Sequence, residues 1–218
     1  MTLDIKICGL KTPEALHAAL AGGASHVGFI FFGKSPRNVT PAEAGALRAA
    51  ADGRAKVVAV TVDADDAFLD EVVAAMSPDI IQFHGSETPE RVAAVKTRYD
   101  LPVMKAFSIS EAEDLGKVAP FRSIADRFLF DAKPPKGSLL PGGNGVSFDW
   151  TLLAALDPDI DYMLSGGLNA ANIRDALRLS NPPGIDISSG VESAPGIKDV
   201  ALIEEFFKAV RSAQAEAA

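Results

Sequence analysis

The segment Asp4-Ile5-Lys6-Ile7-Cys8-Gly9-Leu10-Lys11-Thr12-Pro13-Glu14 joins two kinds of element within eleven residues. Residues 4–8 alternate, which is the period of a strand. Ile5 and Ile7 fall on one face with Leu3, and Asp4, Lys6 and Cys8 on the other. Gly9 then breaks the run. Thr12-Pro13-Glu14 reads as a helix start, with threonine at the N-cap and proline in the first turn. The device returns at Thr40-Pro41-Ala42-Glu43 and at Thr88-Pro89-Glu90. Each follows a short apolar stretch, so the chain repeats a strand-then-helix unit.

Working outward from that unit, strand-like runs are expected at 4–8, 26–32, 56–62, 80–84, 103–107, 128–131, 162–165 and 185–188. Several are nearly continuous apolar runs, as buried parallel strands are. Helices are expected after each: from 12, from 40, over 65–76, from 88, a short fifth from 110, a brief sixth at 152–156, then 169–179 and 198–213, with the tail SAQAEAA frayed. Strict alternation implies a parallel sheet with helical crossovers. Eight units in 218 residues point to an α/β protein, a single-domain (β/α)8 TIM barrel spanning 1–218, with an open doubly wound sheet as the alternative. In such a barrel the active site lies at the C-terminal ends of the strands. The longest irregular stretch, 134–147, is rich in glycine and proline, and long loops in compact domains are often functional.

Composition narrows the function. Hydrophobic residues are 48% and charged residues 23%, the mix of a soluble globular protein. The net charge of −8 argues against general nucleic-acid binding, which rests on neutralising phosphates, but leaves room for one small anionic ligand. The single cysteine rules out a disulfide framework and a cysteine-rich zinc site. The three histidines, His17, His26 and His84, are not spaced as metal ligands, and no G-x-G-x-x-G or Walker sequence is present. No metal and no cofactor are expected. No run approaches a membrane span and no signal peptide is visible, so the protein reads as cytoplasmic, with no membrane partner.

The strand ends hold the chemistry. Cys8 closes the first strand. Lys6, two residues before it on the same face, is expected to favour the thiolate, the useful base or nucleophile. A buried structural cysteine is the alternative. Asp131 closes the apolar run Phe128-Leu129-Phe130 and is placed as a general acid at the barrel mouth, against the alternative of a loop or capping aspartate. Ser165-Gly166-Gly167-Leu168-Asn169 and Ser188-Ser189-Gly190-Val191 follow strands seven and eight, where barrels often place a phosphate on backbone amides. Arg37, on the loop Gly33-Lys34-Ser35-Pro36-Arg37, can hold a carboxylate by a bidentate pair or simply be a solvated cation. His84 is a supporting or hydrogen-bonded core group. Lys105 is a Schiff-base candidate, or a charge partner for Asp131 or a substrate anion. Asp186 faces inward by parity with Ser188, in a supporting role towards Lys6 or the loops.

Taken together the motifs resemble the phosphoribosylanthranilate isomerases of tryptophan biosynthesis. They are Lys6-Ile7-Cys8-Gly9-Leu10, Lys34-Ser35-Pro36-Arg37, Gln82-Phe83-His84-Gly85, Lys105-Ala106-Phe107, Phe130-Asp131, Gly142-Gly143-Asn144-Gly145 with Phe148-Asp149-Trp150, Ser165-Gly166-Gly167-Leu168, and Asp186-Ile187-Ser188-Ser189-Gly190-Val191-Glu192. They cover 6 to 192 in the family's order. The resemblance implies a cofactor-free (β/α)8 barrel that performs an Amadori rearrangement on a small anionic phosphosugar. It implies Cys8 as general base, Asp131 as general acid, Arg37 on the anthranilate carboxylate and the glycine loops on the phosphate. A monomer and a homodimer are both compatible with it. The chain departs from many relatives at Ala132 and Lys133, which follow the acid, and at Asn144 in place of threonine. Lys133 is read as an added cation beside the substrate. The competing readings are a barrel aldolase using Lys105, the related aminoimidazole-carboxamide ribotide isomerase, whose base would be an aspartate where Cys8 stands, and a non-catalytic phosphate-binding barrel.

Overall fold

The computed structural model describes residues 3–134, 137–138, 142–143, 145 and 147–217. Eight parallel strands form a closed barrel in chain order: β1 (Asp4–Cys8), β2 (His26–Phe31), β3 (Lys56–Thr61), β4 (Ile80–Phe83), β5 (Val103–Ile109), β6 (Arg127–Ala132), β7 (Tyr162–Leu164) and β8 (Gly184–Ile187). Pairing of β1 with β8, Lys6 opposite Asp186, closes the ring and excludes the open sheet. The parity read from residues 4–8 holds. Cys8 packs inside with Val58, Val60, Met104, Leu129 and Met163, while Ile5 and Ile7 join the larger core under the helices.

The helices are α1 (Pro13–Gly22), α2 (Pro41–Ala51), α3 (Asp66–Met76), α4 (Pro89–Tyr99), α5 (Ile173–Ser180) and α6 (Val200–Ala217). Thr12, Thr40 and Thr88 each accept a backbone N–H at the start of α1, α2 and α4, as their spacing predicts. The fifth and sixth crossovers, Ala112–Phe121 and Trp150–Ala155, are 3-10 rather than α. In the first of these, Pro120 lacks the N–H that an α-helix needs.

Two expectations at the C-terminus are corrected. Lys198 does not open the last helix. It lies in a small antiparallel hairpin of β9 (Glu192–Ala194) and β10 (Ile197–Lys198), and Asp199 caps α6 through Ala201 N and Leu202 N. The tail does not fray at 212, because Ala213 is buried and Glu216 pairs with Arg174. Among the described residues no helix is long and apolar enough to cross a membrane. The expected 134–147 loop is only partly described, and Asn144 lies outside the described residues.

Candidate active site

A cavity open to solvent occupies the C-terminal end of the barrel. Cys8 and Asp131 both line it, and so do Arg37, His84, Asp186 and the loops after β7 and β8.

Cys8 sits at the end of β1 beside Lys6, whose side chain is fully buried. Lys6 Nζ donates to Asp186 Oδ1 at 2.8 Å, and Ser165 Oγ donates to Asp186 Oδ2 at 3.3 Å. Gly28 on β2 makes the room: a Cβ there would stand 3.0 Å from Cys8 Sγ and 3.2 Å from Lys6 Nζ. Burial opposes the Lys6 charge, but Asp186 and Cys8 outweigh it and hold its pKa above the ordinary value. Lys6 favours the Cys8 thiolate, as expected, but its effect is outweighed. Burial pushes the Cys8 thiol up, and Asp186 partly cancels the help of Lys6 and Lys198.

Asp131 is buried in β6. Ala132 N donates to its Oδ1 at 2.8 Å, and its Oδ2 lies 3.4 Å from His84 Nε2. His84 follows β4, with its backbone N–H on Thr61 O and its Nδ1 3.0 Å from Gln82 Nε2. Gly166, at φ +90°, packs against this corner, where a Cβ would come within 2.6 Å of Ala132 N and 3.1 Å of Asp131 Oδ1.

Lys105 is not Asp131's partner. Its ammonium donates to Gly85 O at 2.7 Å and Glu87 Oε2 at 2.9 Å, and it lines a separate cavity with Phe107 and Phe121. Glu87 also receives Asp63 N and Gly85 N, so this pair braces the loops after β3 and β4. Lys133 contacts Ser110 Oγ at 3.4 Å rather than lining the cavity.

Gly166, Gly167, Ser188 and Ser189 line the cavity as expected of an anion-binding pair of loops. Gly190 does not. It is where loop eight meets loop seven, and a Cβ there would run into Leu168 O. Ser188 Oγ donates to Cys8 O at 3.0 Å, tying the last strand to the first.

Arg37 is buried, not a solvated cation. Its Nε and Nη2 donate to Glu192 Oε1 and Oε2 at 2.7 and 2.8 Å, and Nη2 also to Gly143 O at 3.2 Å. Glu192 Oε1 accepts a further bond, 2.6 Å, from Lys198 Nζ. In the sequence Glu192 stands out only as the end of a motif, and Lys198 only as the start of a helix. The signal that marks them is the Gly196 turn of the hairpin, at φ +81°, which folds β10 back onto β9. Among the described residues no cluster of three or more His, Cys, Asp or Glu is arranged to hold a metal.

Comparison with known proteins agrees with this geometry. The family model "PRAI: N-(5'phosphoribosyl)anthranilate (PRA) isomerase" matches residues 5–209. The chain is 75% identical over 214 residues to the N-(5'-phosphoribosyl)anthranilate isomerase of Mesorhizobium japonicum, covering 98% of each chain. The crystal structure of phosphoribosyl anthranilate isomerase from Thermotoga maritima superposes with a TM-score of 0.85 at 31% identity, over 97% of this chain and 100% of that one. A crystal structure of a phosphoribosyl anthranilate isomerase in complex with reduced 1-(o-carboxyphenylamino)-1-deoxyribulose 5-phosphate superposes at 0.83 and 29% identity, over 97% and 100%.

Proposed function

The chain belongs to the N-(5'-phosphoribosyl)anthranilate isomerase family, and from that premise we propose that Cys8 and Asp131 carry the two proton transfers of its reaction. The enzyme converts N-(5-phosphoribosyl)anthranilate into 1-(2-carboxyphenylamino)-1-deoxyribulose 5-phosphate, an Amadori rearrangement of tryptophan biosynthesis. The observation that carries the assignment is that a thiol on β1 and a carboxyl on β6 line one cavity together with the glycine loops after β7 and β8.

As the general acid, Asp131 gives a proton to the furanose ring oxygen. The C1–O bond breaks and the anthranilate nitrogen's lone pair completes a cationic imine. Cys8 as thiolate then removes the proton from C2, and the electron pair of that C–H bond neutralises the imine to give the enolamine. Protonation at C1 and loss of the C2 hydroxyl proton leave the ketone. The substrate is its own electron sink. The raised thiol of Cys8 suits this order, because the imine cation forms beside it and favours the thiolate at the moment it is needed.

Arg37 is the candidate for the anthranilate carboxylate, and the backbone amides of Gly166, Gly167, Ser188 and Ser189 for the phosphate. Gly190 supports those loops. The whole chain, residues 1–218, is read as one barrel domain acting on this small anionic phosphosugar in the cytoplasm.

The test is a fluorescence assay with phosphoribosylanthranilate made in place from anthranilate and phosphoribosyl pyrophosphate. Cys8→Ala and Asp131→Ala are each expected to lower kcat by at least the ~10²–10⁴-fold that one acid or base contributes. Near-native turnover in either folded variant overturns that residue's role.

A further inference from the structure

Arg37, Glu192 and Lys198 form a buried charge triad that neither proton transfer uses. The Glu192 carboxylate is held by both edges. Arg37 takes it in a bidentate pair at 2.7 and 2.8 Å, and Lys198 Nζ reaches the same Oε1 at 2.6 Å. Lys198 is as buried as Glu192, each side chain being only 3% exposed. Its other bonds go to Ser188 O at 3.0 Å and Ser188 Oγ at 3.2 Å.

A guanidinium closed onto a carboxylate is a neutral pair, and a neutral pair attracts a second carboxylate weakly. Arg37 with Glu192 alone would therefore be a poor receptor for an anion. The triad carries two cations and one anion, a net charge of +1. Lys6 behind the wall forms a pair with the lining Asp186 at 2.8 Å that cancels itself. The Arg37 Nη1 end lies at Gly143, where a Cβ would come within 2.6 Å of it, and among the described residues Nη1 has no hydrogen-bond partner.

We propose that Lys198 is a specificity-determining residue: it restores to the Arg37 end of the cavity the positive charge that Glu192 cancels, and so selects substrates bearing an aryl carboxylate. The inference rests on the reading of Arg37 as the carboxylate's partner. A strut between Glu192 and loop eight needs only a hydrogen-bond donor. A buried ammonium brings a desolvation cost that a neutral donor avoids. Burial does pull the Lys198 pKa below its ordinary value, with Glu192 opposing the pull. Its charge is the feature a merely structural role leaves unexplained.

The experiment measures binding, so that any effect of Lys198 on Cys8 does not enter. Two probes are titrated by calorimetry: reduced 1-(o-carboxyphenylamino)-1-deoxyribulose 5-phosphate, and the same compound without the carboxylate. Lys198→Met and Lys198→Gln are expected to weaken the carboxylated probe by about tenfold or more and the other by less than about threefold, since loss of a close charge is felt mainly by its opposite charge. Lys198→Arg is expected to restore the preference. Lys198→Gln keeps a donor for Glu192 and Ser188 and serves if Lys198→Met does not fold. Equal weakening of both probes, or no weakening of either, overturns the proposal. Arg37→Met run alongside separates the two readings. If it keeps the preference for the carboxylated probe, the Arg37 assignment has failed; if it loses the preference while the Lys198 variants keep it, only the present inference has.

Discussion

Cys8 illustrates how one side chain's chemistry depends on balances of opposing effects. Two ammonium groups, Lys6 and Lys198, favour its thiolate, but burial outweighs them and Asp186 adds to burial. The base form therefore accumulates only at higher pH than for an exposed thiol, and kcat/KM is expected to rise through the alkaline range. Lys6→Met removes the nearer cation and leaves Asp186 without its partner, so both changes push the thiol further up. The expected outcome is an alkaline shift of that limb and about a tenfold or greater loss of turnover at neutral pH, since each pH unit separating a base from its pKa costs tenfold in the active form. A pH–rate profile of wild type and variant checks this. An unmoved limb would show that Lys6 does not act on Cys8. Cys8 and Asp131 are legible in the amino-acid sequence itself, because strand parity and strand ends are local properties. The partners of Lys105 and Arg37 are not, since each is met across the fold.

At the scale of elements, the Thr-Pro helix starts at Thr12, Thr40 and Thr88 are the most reliable sign. Thr40 and Glu43 form a reciprocal capping box at α2, with Thr40 N on Glu43 Oε2 at 2.7 Å and Glu43 N on Thr40 Oγ1 at 3.2 Å. Thr40→Ala is expected to lower stability by ~1 kcal/mol, within the usual 0.5–2 for such caps, with kcat unchanged. Urea unfolding monitored by circular dichroism gives the midpoint shift. The same local logic failed at the fifth and sixth crossovers. A helix start is written in a cap, but whether the following turns are α or 3-10 depends on the space between strand and neighbours. It failed again at Lys198, where a hairpin of three and two residues is too short to carry a strand pattern.

The whole molecule divides its barrel by end. The C-terminal mouth holds the cavity, and the opposite end holds a group of charges with no part in it. Arg127 bonds Asp4 at 2.7 Å and Asp161 at 3.0 Å, and His26 is buried beside them on Ser25 Oγ at 2.8 Å. Burial, with Arg127, Lys56 and Lys6 adding to it against Asp4, lowers the His26 pKa to about 4. The unfolded chain takes up that proton near pH 6.5 and the folded one only near 4. The folded state therefore binds fewer protons in this window, and stability is expected to fall as pH drops from about 6.5 to 4, by on the order of 2 kcal/mol. His26→Gln should flatten that slope while leaving turnover intact. A variant whose melting temperature still falls as steeply over the same range would place the acid sensitivity elsewhere.

From the order of residues alone come the eight-fold alternation, the inward face of β1, the caps and the two residues at the strand ends. All of these follow from periods of two and of 3.6 and from neighbours a few positions apart. The closed ring, the pairing of Lys6 with Asp186 across 180 positions and of Arg37 with Glu192 across 155 exist only once the chain has closed on itself. So does the charge on each group in the cavity. Desolvation and Coulomb interactions sum over everything nearby in space, whatever its distance along the chain, and that is why the barrel, and no single motif, sets the state of Cys8 and the reach of Arg37.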